Sequence, residues 1–536
     1  MDHIVKKVTK RMIRFYRQST TNQAVRKMAA AIQRTAPPSS GQPVVIFNAS
    51  TRLEALSLNA GFSMLTSWAL RMAGVPVHHF VCQRGMSRCV LGTNRDDPTQ
   101  LPPCKRCIAQ SKVVTTHADA TGFAYVEDSQ WAAELSQLSL ADLIEVERDG
   151  LPLGQLVLPA LRWVLRRHHL VDDAGTRFLY CQFLLSAYSI ARQFGALLDE
   201  IHPRAVVVFN GQFYPEATAR FVAQQRGLPV ISHEVGLRPY SAFFTPGEAT
   251  AYPIDIPPSF QLTPEQDARL DAYLEDRFQG NFSMAGIRFW KGMEGLTTAF
   301  WERAKSYQQI VPIFTNVIFD TSQGHANVLF PHMFAWLDEV LDIIRNHPET
   351  LFVIRAHPDE KRPGKESRES VAHWVAERSV HQLPNVMFVD SDETISSYDL
   401  IQHAKFVMIY NSTIGLEAAL MGAAVLCAGK ARFTQLPTVF FPPAPVTNFR
   451  RMAEEFLSAK MVEVPTEFRQ NARRFMYTQL FRTSLPFDAF LEEDGVWQGY
   501  VKLRRFTPRQ LSESPIMQIV TRGILDGTPF IVDELP

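Results

Sequence analysis

The chain has 536 residues, a formal net charge of +1 and 20% charged residues. That length holds two or three domains with full cores. The balanced charge is ordinary for a soluble globular protein and excludes the broad basic surface that nucleic-acid binding needs. No window approaches the ~20 apolar residues of a membrane span. The first ten residues are polar and basic with no apolar run behind them, unlike a signal peptide. The cytoplasm is the expected compartment, with reduced cysteines.

Residues 1–35 carry Lys6, Lys7, Lys10, Arg11, Arg14, Arg17, Arg26, Lys27 and Arg34 against Asp2 alone, with Ile4, Val8, Ile13 and Phe15 interspersed. Two readings stand: an amphipathic helix resting through residues 4–34 on the inner face of an anionic membrane, or a solvated helix packed on the domain. Residues 36–42 (APPSSGQ) read as a linker. A buried-type strand at 44–47, a loop at 48–52, a helix at 60–73 stopped by Gly74 and a strand at 77–81 make a βαβ opening. No G-x-G-x-x-G follows Phe47, so a dinucleotide site is not expected.

Cys82, Cys89, Cys104 and Cys107 come next, the last two as C-x-x-C. Four thiols in so short a stretch suit a closed structural zinc site or an iron–sulfur cluster. A redox pair or plain reduced thiols also fit. Four thiolates would close the metal's shell, so a catalytic metal is not expected. Helices are read at 128–147 and 177–200, and the stretch 151–167 between them is apolar with late basic residues. A fully apolar strand at 205–209 precedes Asn210-Gly211, a helix spans 215–226, and a strand at 229–232 precedes His233 and Glu234. Residues 246–263 are proline-rich and irregular, and a charged helix follows at 264–279.

The second half alternates short β-branched apolar runs with helical patterns: strands at 310–314, 351–354, 386–389, 406–410 and 424–427. That alternation predicts a parallel sheet wound with helices, whose ligands bind beyond the strand ends. The polar residues there are Thr315 and Asn316 after the first strand, Arg355 and His357 after the second, and Asn411, Ser412 and Thr413 after the fourth. A helix opening at Ile414 can face an anion with its free N–H groups. Beyond it, Lys430 and Arg432 are cations suited to phosphate. A helix is read at 447–474.

The ordered set RAHPDE … NSTIGLEAALMGAAVL resembles the donor-binding half of the bacterial capsule-polysaccharide synthesis family of GT-B glycosyltransferases, which includes Kdo transferases. Its His-Pro and Ser-Thr pairs also resemble motifs of bacterial sialyltransferases, which use CMP-sugars. The resemblance implies an α/β, GT-B-like fold: two Rossmann-type domains facing across a cleft, with a C-terminal helical return. The implied division is a basic segment and linker (1–42), an acceptor domain (43–260), a nucleotide-sugar domain (285–465) and a helical extension (466–536). It assigns His357, Ser412 and Thr413 to donor phosphate and Glu417 to the nucleotide ribose. Thr315, Asn316, Arg355 and Asn411 stand beside them. The catalytic base is expected on the first domain, with Glu234 first and His233 second. The implied reaction is metal-independent transfer of a sugar, CMP-sugar favoured, to a surface-polysaccharide, glycan or lipid-linked acceptor. A polyol-phosphate transferase of the teichoic-acid type and a non-catalytic scaffold of a polysaccharide assembly complex remain as alternatives.

Overall fold

The computed structural model describes residues 2–49, 55–278, 283–284, 287–288, 294–495 and 499–533. The loop expected at 48–52 and the domain start expected at 285 fall partly outside them. The first domain runs α1 (Asp2–Thr35), β1 (Val44–Asn48), α2 (Leu58–Met72), β2 (Val77–Cys82), α3 (Cys104–Val114), β3 (Asp119–Phe123), α4 (Leu153–Leu165), α5 (Ala174–Ile201), β4 (Ala205–Phe209), α6 (Tyr214–Gln225), β5 (Val230–Val235) and β6 (Ser241–Pro246). The second runs α7 (Pro264–Phe278), β7 (Gln309–Phe314), α8 (Met333–Asn346), β8 (Thr350–Arg355), β9 (Val386–Val389), β10 (Val407–Ile409), α9 (Ile414–Leu420), β11 (Val425–Cys427), α10 (Val446–Ser458) and α11 (Thr466–Tyr477). The chain then returns through β12 (Leu485–Pro486), the hairpin β13 (Leu491–Glu493) and β14 (Val501–Leu503), and α12 (Pro515–Asp526).

Both sheets are buried on both faces, which is why their strands read as continuous apolar runs. In β1, Val45 and Phe47 pack into one cluster with α5, while Val44 and Ile46 face α2 and the buried Val25, Ala29 and Ile32 of α1. In β8, Leu351 and Val353 join one core cluster, and Phe352 and Ile354 join another with α8. This is the period-two alternation of a strand with helices above and below.

The first sheet has the order β12-β6-β5-β4-β1-β2-β3, parallel from β5 to β3 and antiparallel at β6 and β12. The second is all parallel, in the order β9-β8-β7-β10-β11. Each reverses direction of growth beside its first strand, so each has a topological switch point where the strand ends splay and leave a crevice. The architecture is two Rossmann-like domains, GT-B-like in plan.

Three expectations change. The helix read over 128–147 is two short ones, because Ser139 and Asp142 form a capping box that starts a new helix. The helix read over 447–474 breaks before Pro465, whose ring cannot continue it. The C-terminal return is not helical throughout: Leu485 and Pro486 pair with Ser241 and Ala242 as an edge strand of the first sheet. Strands β3 and β6 escaped the sequence reading. β3 is the polar stretch DATGF, exposed over four of its five positions, with no apolar pattern to betray it. Ala249, Ile254 and Ile256 also pack with the second sheet's core, although 43–260 was expected to be one unit.

Candidate functional site

The switch point of the second sheet opens between β7 and β10. The loops that leave these strands are tied together: the Asn411 N–H donates to Asn316 Oδ1 (3.3 Å), and Gln323 Nε2 donates to Asn411 Oδ1 (3.1 Å). Around this point lies a cleft of about 390 Å³, lined by Asn316, Asp320, His357, Asn411, Ser412, Thr413, Lys430 and Arg432. Its far wall is Thr250, Ala251 and Pro253, from the chain that leaves β6. That volume falls in the range of small-ligand sites.

Each polar group is set by local backbone. His357 stands two residues past β8 and caps the short turn Pro358–Lys361, its Nδ1 accepting the Asp359 N–H (3.1 Å). Burial lowers its pKa, so the ring is neutral at pH 7, and with Nδ1 occupied as an acceptor its proton sits on Nε2. Thr413 precedes α9 without a side-chain capping bond, which leaves its hydroxyl at the cleft. Lys430 and Arg432 follow β11; the Arg432 guanidinium lies 4.3 Å over the Tyr252 ring, which holds it against the far wall. The cleft therefore gathers neutral donors, the cations Lys430 and Arg432 and the carboxylates Asp320 and Asp359; its donors and cations suit a phosphate-bearing ligand.

Three expected ligand residues do not line it. Thr315 is buried, its hydroxyl and N–H both donating to the Arg355 carbonyl (3.1 and 3.2 Å). Arg355 is 3% exposed, with Nη2 donating to the Glu393 carbonyl (3.4 Å), and burial pulls its pKa down to about 10. Glu417 is 4% exposed and faces the helix interior. It accepts from Arg277 Nη2 of α7 at 2.6 Å and from the Tyr398 hydroxyl at 2.5 Å. Although burial opposes the Arg277 charge, the Glu417 carboxylate more than restores it and raises that pKa. Glu417 is committed to an internal ion pair, which corrects the ribose role.

On the first domain, His233 is 1% exposed and ringed by Phe62, Phe209 and Phe244, and burial lowers its pKa to about 4. It is a core side chain, so the second choice of base is corrected. Glu234, one residue on, points the opposite way, as strand alternation requires. Its Oε2 accepts from Asn210 Nδ2 (3.1 Å) and its Oε1 from the Val235 N–H (2.8 Å). Asn210 holds that donor in place from a left-handed backbone (φ 60°), with its own carbonyl oxygen accepting from Gln212 and Phe213 N–H groups. Burial raises the Glu234 pKa, and the charge of Asp320 from the second domain adds to the rise. Glu234 does not itself line the cleft, but it feels the charge of Asp320, which does.

A second bridge was missed by sequence reasoning. His325 Nε2 of the second domain meets Glu248 Oε2 of the first at 2.5 Å, beside Thr250 and Gln212. His325 lies in the four-residue helix Gln323–Ala326 and Glu248 just past β6, and only the tertiary fold brings them together.

The four clustered cysteines stand apart from this cleft. Cys82, Cys89, Cys104 and Cys107 line one small cavity of the first domain as free thiols. Among the described residues, no three His, Cys, Asp or Glu side chains are placed to hold one metal ion. A single structural zinc among these four is therefore not the arrangement found. Among the described residues, no helix is long and apolar enough to cross a membrane.

Comparison with known proteins gives a consistent picture. A curated relative, Protein FixF of Sinorhizobium fredii (strain NBRC 101917 / NGR234), is 29% identical over 232 residues, 42% of this chain and 48% of its own. The match thus spans about half the length of that relative. Similar solved structures include the β-Kdo 2,4 transferase of Thermosulfurimonas dismutans KpsC, 13% identical over 58% of this chain and 87% of that one, with a TM-score of 0.35. The S. aureus MnaA–UDP structure is 11% identical over 81% and 91%, with a TM-score of 0.26. Residues 298–436 match the family model described as Capsule polysaccharide biosynthesis protein. The stretch that supplies most of the cleft's donors and both of its cations is thus the one that matches this family model.

Proposed function

We propose that the protein is a glycosyltransferase of surface-polysaccharide synthesis that binds a nucleotide sugar in the cleft of the second domain. The observation that carries this reading is the convergence of His357 Nε2–H, Ser412, Thr413, Lys430 and Arg432 on one cleft at a switch point. Transfer needs a leaving phosphate stabilised as charge develops on it. Neutral and cationic donors fixed before reaction do this without reorganising. The acceptor hydroxyl must lose a proton, and Glu234 is the base: burial raises its proton affinity above that of an ordinary carboxylate, in the direction such a step requires. The donor is a CMP-sugar by the motif resemblance alone, and the acceptor is a glycan or lipid-linked glycan.

Calorimetry with CMP, CDP, UDP and GDP on wild type and His357→Ala tests the donor site. One nucleotide is expected to bind wild type and to weaken by roughly 10-fold or more in the variant, the loss of a hydrogen bond to a charged group. Absence of binding by all four at millimolar concentration overturns the reading.

A lipid-linked acceptor would place the enzyme at a membrane surface, and α1 supports this. Its C-terminal half docks through Val25, Ala29 and Ile32, while Met12, Ile13, Phe15 and Tyr16 stand exposed on one arc of its N-terminal half. Apolar side chains among a run of basic residues suit an anionic bilayer. Sedimentation with phosphatidylglycerol vesicles is expected to bring down the full chain and to leave Phe15→Ser/Tyr16→Ser in solution. Equal pelleting of the two rejects the membrane contact.

A further inference from the structure

The four clustered cysteines take no part in the proposed transfer, yet the fold brings them to one place. Cys82 ends β2, Cys104 and Cys107 lie in the first turns of α3, and Cys89 lies in the irregular chain between them. Residues 83–103 form no helix or strand, a long connection for the interior of a domain. All four side chains face one cavity, whose remaining wall is mainly apolar, including Met86, Val90 and Ile108. The other two cysteines, Cys181 and Cys427, are buried elsewhere and line no part of it.

The backbone around the sulfurs is specialised. The Gly85 N–H donates to Cys82 Sγ (3.3 Å), and the Gly92 N–H donates to Cys89 Sγ (3.2 Å). Each glycine is three residues past its cysteine, so the same C-x-x-G turn is built twice. A Cβ on Gly92 would stand 2.9 Å from Cys89 Sγ, and one on Gly85 would lie 2.0 Å from the Phe123 ring. Both positions therefore need glycine for the turn to close. Amide donors aimed at sulfur stabilise thiolates and are a means by which proteins tune thiolate-bound clusters. The start of α3, an eleven-residue helix, adds its positive end near Cys104 and Cys107.

A single tetrahedral ion needs its ligands closed around one point. Among the described residues, no three His, Cys, Asp or Glu side chains are placed to hold one metal ion. A cubane of iron and sulfide holds its cysteine sulfurs farther apart, at the corners of a core that fills the space between them. We propose that Cys82, Cys89, Cys104 and Cys107 ligate a [4Fe–4S] cluster that fastens residues 83–103 between β2 and α3. The four thiols release their protons on binding, and iron with inorganic sulfide is the co-reactant.

The test uses the full chain, purified without oxygen and reconstituted with ferrous iron and sulfide. About four irons and four sulfides per chain are expected, with a visible sulfur-to-iron charge-transfer band. Cys104→Ser is expected to lose most of the iron, and Cys427→Ser to keep it. One zinc per chain without iron, or no bound metal, overturns the proposal. Metal content of the wild type needs no variant, so a misfolded variant does not obscure the result. It is also independent of nucleotide binding: either can fail while the other stands.

Discussion

The two sheets end in the same kind of crevice, but they use it differently. Beyond β7, β8 and β10 the second domain presents a row of open donors, with His357, Ser412 and Thr413 facing one cleft. Beyond β4 and β5 the first domain closes its end, with His233 sealed among aromatic rings and Glu234 alone turned outward on two neutral donors. The difference suits a division of labour. On the proposed function, one side stabilises anionic charge with many weak, fixed dipoles; the other holds a single acid whose proton affinity is raised by burial. The contrast between Glu234 and Glu417 carries the same lesson. Glu417 lies in α9 and meets a guanidinium, whereas Glu234 lies in β5 and meets amides. Amide partners in a buried site leave Glu234 able to take up a proton.

The strongest way to break this comparison is Glu234→Gln. If the first domain supplies the base, turnover falls by roughly 10²–10⁴-fold with the fold intact, as judged by steady-state rates and circular dichroism. The wild-type kcat/KM is expected to decline on the acid side as Glu234 protonates, at a pH above the ordinary carboxylate value, and the variant is expected to lack that limb. Stability has its own sign. Between the ordinary value of 4.5 and its raised value, the folded chain holds the Glu234 proton more tightly than the unfolded chain. Stability from this group therefore falls as pH rises through that window.

Glu417→Ala sharpens the other half. It removes the carboxylate that faces the buried Arg277 charge, at a cost of about 3–5 kcal/mol. A lower Tm with nucleotide affinity per folded molecule nearly unchanged is the expected result. A selective loss of nucleotide affinity at unchanged Tm would return Glu417 to the ligand site.

The smallest effect is expected at His233. His233→Leu should leave turnover within a few-fold of wild type, since the ring meets only core side chains. It should also flatten the acid limb of stability. With its folded pKa near 4, the histidine contributes stability that is lost as pH falls from 6.5 toward 4. A turnover loss comparable to that of Glu234→Gln would contradict the closed end of the first sheet.

The apolar strands are legible in the sequence, whereas the polar β3 and the strand β6 are not. Runs such as 205–209 and 386–389 are apolar at every position because both faces of each sheet are covered, and that pattern is visible without coordinates. The sequence by itself also determined the part of the site carried by strand ends, where His357, Asn411, Ser412 and Thr413 are polar residues placed just past apolar runs. Tertiary structure decided which of those residues turn toward the cleft. Arg355 and Glu417 are as polar as His357, but one lies under a strand end and the other faces α7, and direction is not written in residue type. It decided the His325–Glu248 bridge, because neither the four-residue helix of His325 nor β6 before Glu248 is legible in the sequence. It also decided the C-terminal return, where a two-residue edge strand is too short to leave a periodic signal. Local pattern reports what is buried, but only packing reports against what.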